Sequence, residues 1–125
     1  MVDFIKKAKD YFISGVINER IRHLDVAASD YFKSLAAVND FILSEINLFA
    51  KNHEERFNML REHFPEFYKI TSSLFLTYRR AYTKEINLEE LGFLKEKIKE
   101  AFKNAGIEIP TNNEVEANLK KALKK

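Results

Sequence analysis

Apolar residues recur along the chain in the three- and four-residue steps of a helical face, beginning with Phe4, Ile5, Ala8, Tyr11, Phe12 and Val16. Asp3 stands where an N-cap belongs. Gly15 either ends this first helix or is carried within it as the helix runs on to Arg20. A longer stripe over about residues 18 to 48 places Leu24, Ala28, Tyr31, Leu35, Val38, Ile42 and Ile46 on one side, widened by Ala27, Phe32 and Phe41. Its small residues Ala27, Ala28, Ala36 and Ala37 allow a neighbouring helix to approach closely.

Punctuation marks the remaining elements. Asn52 followed by Glu55 predicts the start of a third helix, because a short polar side chain bonds the N3 amide while the glutamate reaches back. Pro65 predicts a break near His63 to Pro65 and the opening of a fourth helix, whose apolar face is Phe67, Ile70, Leu74, Phe75 and Tyr78. Asn87 and Glu90 repeat the capping pattern ahead of a fifth helix lined by Leu88, Leu91, Leu94, Ile98, Ala101 and Phe102 and closed by Gly106. Pro110 and Thr111 to Glu114 predict one more short helix. Its few apolar residues, Val115, Leu119, Ala122 and Leu123, make it marginal unless it docks. The expectation is an all-α protein: an antiparallel bundle of four to five main helices over residues 1–107, with a C-terminal tail, 108–125, holding a short helix.

Composition supports one domain. The 125 residues, 46% of them apolar, suffice for one continuous core, and three glycines and two prolines leave few turn-formers. With no cysteine, disulfides, thiolate zinc sites and thiol nucleophiles are excluded together. No apolar run approaches the roughly 20 residues of a membrane span, and the charged start from Asp3 to Asp10 has no signal-peptide core, so no membrane association is expected and a cytoplasmic location is. A net charge of +2 is too small to attract nucleic acid in bulk, so any RNA binding must come from a local patch. The Lys120, Lys121, Lys124, Lys125 ending and the Lys–Glu alternation from Glu89 to Lys103 read as solvated helix surface, the latter with i,i+4 pairs.

Several chemistries lack their residues. His53-Glu54-Glu55-Arg56-Phe57 puts Phe where the second ligand of a zinc protease belongs, and Leu60 stands three before His63 where a di-iron bundle needs Glu, so no metal and no cofactor are expected. Hydrolase elbows and phosphate loops are missing as well. What remains is arginine and histidine: a guanidinium holds a phosphate with two donors, and a histidine titrating near neutrality moves a proton. Arg56 and His63 are the candidate catalytic pair, with His53 as a further proton carrier; on an unbroken helix the pair share a face about 10 Å apart along the axis. Arg79, Arg80 and Tyr82 are the candidate binding residues, two forks and a ring face suited to RNA phosphate and base. The bland alternatives are a surface pair flanking Phe57 and Leu60, and guanidiniums facing the carbonyls that end a helix.

Over roughly residues 4 to 105 the chain resembles the HEPN superfamily of small helical-bundle proteins. The resemblance rests on Ala27-Ala28-Ser29-Asp30-Tyr31-Phe32 in a long second helix, on the Asn52-His53 start of the third, and on Arg79-Arg80-Ala81-Tyr82 at the end of the fourth. Active members of that superfamily are metal-independent ribonucleases in which an Arg is followed after four to six residues by His, and a dimer joins two copies into one site. Here no histidine follows Arg79 and Arg80, while Arg56 and His63 have the spacing one helix too early. The resemblance therefore implies a non-catalytic interaction module that associates with itself, with a protein of the toxin–antitoxin kind, or with RNA. Five tyrosines and eleven phenylalanines supply aromatic surface for a dimer interface. A metal-independent endoribonuclease with a composite dimer site, and a structural or regulatory bundle, are the alternatives.

Overall fold

The computed structural model describes residues 2–124, leaving Met1 and Lys125, the last lysine of the basic ending, outside the described residues. Six helices follow in order: α1 (Phe4–Arg20), α2 (Leu24–Ser44), α3 (His53–His63), α4 (Pro65–Arg80), α5 (Leu88–Asn104) and α6 (Asn112–Leu123). Among the described residues there is no strand. The protein is an all-α helical bundle with a short C-terminal helix.

The caps form where the sequence places them. Asp3 accepts from the Lys6 amide, Asn52 from Glu55, Asn87 from Glu90 and Thr111 from Glu114, and the last two close full capping boxes. Each such cap satisfies an amide that the helix leaves without a partner. Pro65 opens α4, and Gly106 ends α5 at φ 73°, the left-handed turn that glycine adopts without steric cost. The sequence pattern overran one element. Of the stripe over about 18 to 48, the second helix takes only Leu24 to Ser44 and residues 18 to 20 belong to α1, because Arg22 (φ 65°) and Asn47 (φ 60°) turn left-handed at either end and free the chain to change direction. Ile46, beyond that end, is exposed. Gly15 lies inside α1, which continues to Arg20.

α2 is the central rod and packs against α1, α3, α4 and α5. Its pairings run in reverse register with α1, Ser34 donating to the Ala8 carbonyl and Ser14 to Asp30, and with α4, where Asn39 meets Thr71 and Phe32 meets Tyr78. Both neighbours are therefore antiparallel to it. Tyr31, Phe12, Phe32 and Phe102 are the largest fully buried side chains, each contributing about 1.5–3 kcal/mol on removal from water. Glycine at position 15 permits a close approach to Tyr31: a Cβ there would stand 2.6 Å from its Cδ1 and Cε1. The hydroxyl of that tyrosine donates to Glu19, which Lys95 of α5 also reaches at 3.4 Å.

The short C-terminal helix docks. Val115 of α6 is buried against the core and Arg20 of α1 reaches Glu116 at 2.6 Å, so tertiary contact supplies what α6 lacks in apolar length. On α5 the surface ion pairs form at i,i+3, Lys97–Glu100 and Glu96–Lys99, rather than at i,i+4. Glu90 and Lys95 instead reach other elements, Arg80 and Glu19.

Candidate functional site

Part of the candidate set gathers where α3 and the second half of α4 lie against α2. Phe32 of α2 stacks on Tyr78 of α4, ring centroids 4.2 Å apart and planes 12° from parallel. His53, the first residue of α3, closes the cluster: its ring lies 6.0 Å from Phe32, 6.1 Å from Phe75 and 6.3 Å from Tyr78. The Asn52 cap fixes the entry of α3 and so sets where that ring points.

Arg56, one turn on, is engaged through each of its three guanidinium nitrogens. Its Nε and Nη2 donate to the two oxygens of Asp40 at 2.8 and 3.1 Å, and its Nη1 donates to His53 Nδ1 at 2.9 Å. A guanidinium only donates, so Nδ1 accepts and the imidazole is neutral with its proton on Nε2. Burial first, and the Arg56 charge second, hold His53 below its usual 6.5. The ring is thus a fixed, neutral N–H donor, with its other nitrogen occupied.

His63 lies at the other end of α3 from His53. It ends α3, half-exposed, with Glu62 at 3.8 Å as its charged neighbour, and shares no partner with Arg56. The helix between them is unbroken, as their shared face requires, yet the arginine is committed to Asp40. Among the described residues the two side chains have no common hydrogen-bond or ion-pair partner.

At the end of α4 the three binding candidates separate. Arg79 lies over the Phe75 ring at 5.9 Å, exposed and without a carboxylate within ion-pair distance among the described residues. Arg80 points the other way and pairs with Glu90 at 3.0 Å. Tyr82 is 68% exposed, its ring edge-on to Tyr78 at 5.5 Å and its hydroxyl 2.7 Å from the Tyr78 hydroxyl. Burial, then the hydrogen bond with Tyr82, pushes Tyr78 up to about 12, so its hydroxyl is protonated at neutral pH. Arg79 and His53 both lie against Phe75, and Tyr82 joins them through the Phe75–Tyr78 ring pair, whereas Arg80 pairs with Glu90.

Sequence reasoning missed the residues that other helices contribute. Asp40, which decides the state of Arg56, comes from α2, and Asp25, whose carboxylate accepts from the Ile86 amide, ties the loop after α4 onto the start of α2. Neither has a local motif; only their contacts give them roles. Among the described residues no group of three or more His, Asp or Glu could hold a metal ion, and no helix is long and apolar enough to cross a membrane. No family model, no curated protein and no solved structure matches the chain.

Proposed function

We propose that this chain is a non-catalytic, HEPN-like interaction module whose working surface is the aromatic and cationic face at the end of α4. Its ligand is a protein surface of the toxin–antitoxin kind or a second copy of the chain, with RNA as the other class that the same groups can hold. One observation carries the reading. The arginine with catalytic spacing, Arg56, is engaged by Asp40 and His53, whereas Arg79 and Tyr82 are presented to solvent on an aromatic base of Tyr78, Phe75 and Phe32. A tyrosine held this way gives contact area at small entropic cost, and a free fork beside it accepts a carboxylate or a phosphate.

The test uses purified protein with mixed single-stranded RNA in EDTA, followed by gel retardation at two salt concentrations, with light scattering for the mass. Retarded, uncut RNA whose affinity falls and loses salt dependence in the Arg79→Ala, Arg80→Ala double variant supports RNA as the ligand. Unshifted RNA with a mass of two copies, reduced to one by Tyr82→Ala, supports self-association. A monomer that leaves RNA unshifted and shows no partner dependence on Arg79 or Tyr82 overturns the proposal for this face.

One arrangement favours a ribonuclease as a second reading. His53 is neutral, oriented by Arg56, and carries its proton on the nitrogen not bound by Arg56, which suits a hydrogen-bond donor to a scissile phosphate oxygen. Cleavage in EDTA that disappears in His53→Ala and persists in His63→Ala would establish that activity.

A further inference from the structure

The start of α2 and the end of α4 form an open cleft of about 270 Å³ lined by Asp25, Val26, Ser29, Asp30, Lys33, Tyr78, Ala81 and Tyr82. Asp30 is its unusual member. The side chain is only 9% exposed, yet no Lys, Arg or His pairs with it among the described residues. Ser14 and Asn18 of α1 both donate to one oxygen, Oδ2, at 2.7 and 2.9 Å. The other oxygen, Oδ1, takes no protein donor and is not sealed from solvent. A carboxylate this buried is ordinarily paired with a cation, because two neutral donors offset only part of the lost hydration.

Its surroundings are those of a cation site. Asp25 uses one oxygen for the Ile86 amide and keeps the other free, Ser29 offers a hydroxyl, and Tyr78 and Tyr82 add two hydroxyl oxygens and the exposed Tyr82 ring. Acceptors and a π-face are the complement of an ammonium or guanidinium, which brings only N–H donors and positive charge. Lys33 is the one cation on the rim. Its ammonium lies over the Tyr11 ring at 5.7 Å, outside ion-pair distance of either carboxylate. The volume lies below that of ordinary small-molecule pockets and admits the end of a single alkyl chain rather than a nucleotide.

We propose that this cleft binds an alkylammonium or alkylguanidinium group, with the N–H donors on Asp30 and Asp25 and the alkyl stem against Tyr82. A lysine or arginine side chain of another protein and a free polyamine share that chemistry. Tyr82 belongs to both this site and the face proposed above, whereas Asp30 belongs to the cleft alone, so Asp30→Asn tests the cleft without touching Arg79.

The experiment titrates the full chain with n-butylammonium chloride, spermidine, and an acetyl-lysine-amide peptide at matched ionic strength, reading amide shifts of Ser29, Ala81 and Tyr82 by NMR. Saturable shifts confined to the cleft are expected. Affinity should fall tenfold or more in Asp30→Asn, fall in Tyr82→Ala, and rise in Lys33→Gln, which removes the repelling charge. Tighter binding of the peptide assigns the site to a partner's side chain, and tighter binding of spermidine to a free polyamine. The proposal is overturned if no saturable shift appears, or if folded Asp30→Asn and Tyr82→Ala bind butylammonium as the parent does. It is equally overturned if tetramethylammonium, which has no N–H, binds as well as butylammonium.

Discussion

Asp40 and Arg56 form a two-point ion pair, at 2.8 and 3.1 Å, between side chains that are each 13% exposed. The pair joins α2 to α3 and, through the third guanidinium donor, fixes the ring of His53. Removing the carboxylate leaves a mostly buried guanidinium without a counter-charge. Asp40→Ala should therefore destabilise the fold by about 2–4 kcal/mol, somewhat below the range for fully buried pairs. Urea unfolding checks it, and a loss under about 1 kcal/mol would mark the pair as an ordinary surface bridge. Arg56→Lys should not restore the parent's stability, since an ammonium cannot span both oxygens and His53 together.

Glycines 15 and 92 should respond to alanine with opposite signs. Both lie inside helices, where alanine is favoured by about 1 kcal/mol. At position 92 nothing stands within 4 Å of an added Cβ, so Gly92→Ala should stabilise by about 1 kcal/mol. At position 15 the Cβ would meet the fully buried Tyr31 ring at 2.6 Å, and overpacking of about 1–3 kcal/mol outweighs the propensity gain. Gly15→Ala should destabilise. Thermal unfolding of the two variants side by side gives the answer, and equal shifts in Tm would show that Tyr31 yields without cost.

The histidine in the aromatic cluster should make stability depend on pH. Burial and Arg56 lower its folded value below the 6.5 of the free side chain. Between those two values the unfolded chain holds the proton more tightly, so stability is full above about 6.5 and falls as pH drops through the folded value. His53→Gln should flatten the stability profile over that window and leave the region above it unchanged. An identical slope in parent and variant would show that His53 titrates alike folded and unfolded.

Asn39 and Thr71 meet in the core between α2 and α4, the amide donating at 2.8 Å and Thr71 passing its own proton to the Phe67 carbonyl. The Asn39 carbonyl oxygen is buried without a partner. Leaving that group unpaired costs about 1–3 kcal/mol, whereas replacing both partners by apolar groups of like shape can be neutral or better. The double variant Asn39→Leu, Thr71→Val should unfold at equal or higher urea concentration than the parent. A lower midpoint would show that the polar pair contributes net stability.

Much of the fold was legible in the chain because its signals are local. Asp3, Asn52, Asn87 and Thr111 cap helices with amides three residues on, Pro65 excludes the helical conformation before it, and Gly106 accepts a left-handed turn. Apolar periodicity then named the buried faces, from Ala8 and Phe12 to Ile98 and Phe102. Both bounds of α2 were misjudged because Arg22 and Asn47 adopt left-handed turns that no glycine announces.

The candidate site was legible only as an inventory. The sequence by itself determined that helices begin, end and bury particular sides, since those outcomes depend on neighbours within four residues. Whether an arginine is free or spent depends on what another helix brings to it. Arg56 had the spacing for catalysis until α2 set Asp40 against it, and Arg79 and Arg80, adjacent in sequence, were divided by the turn of α4 between an aromatic surface and Glu90. Asp30 drew notice only as part of a family-like stretch, until α1 and α4 closed around it. Hydrogen bonds and charges act over a few ångströms, and tertiary packing alone brings residues so far apart in sequence within that distance.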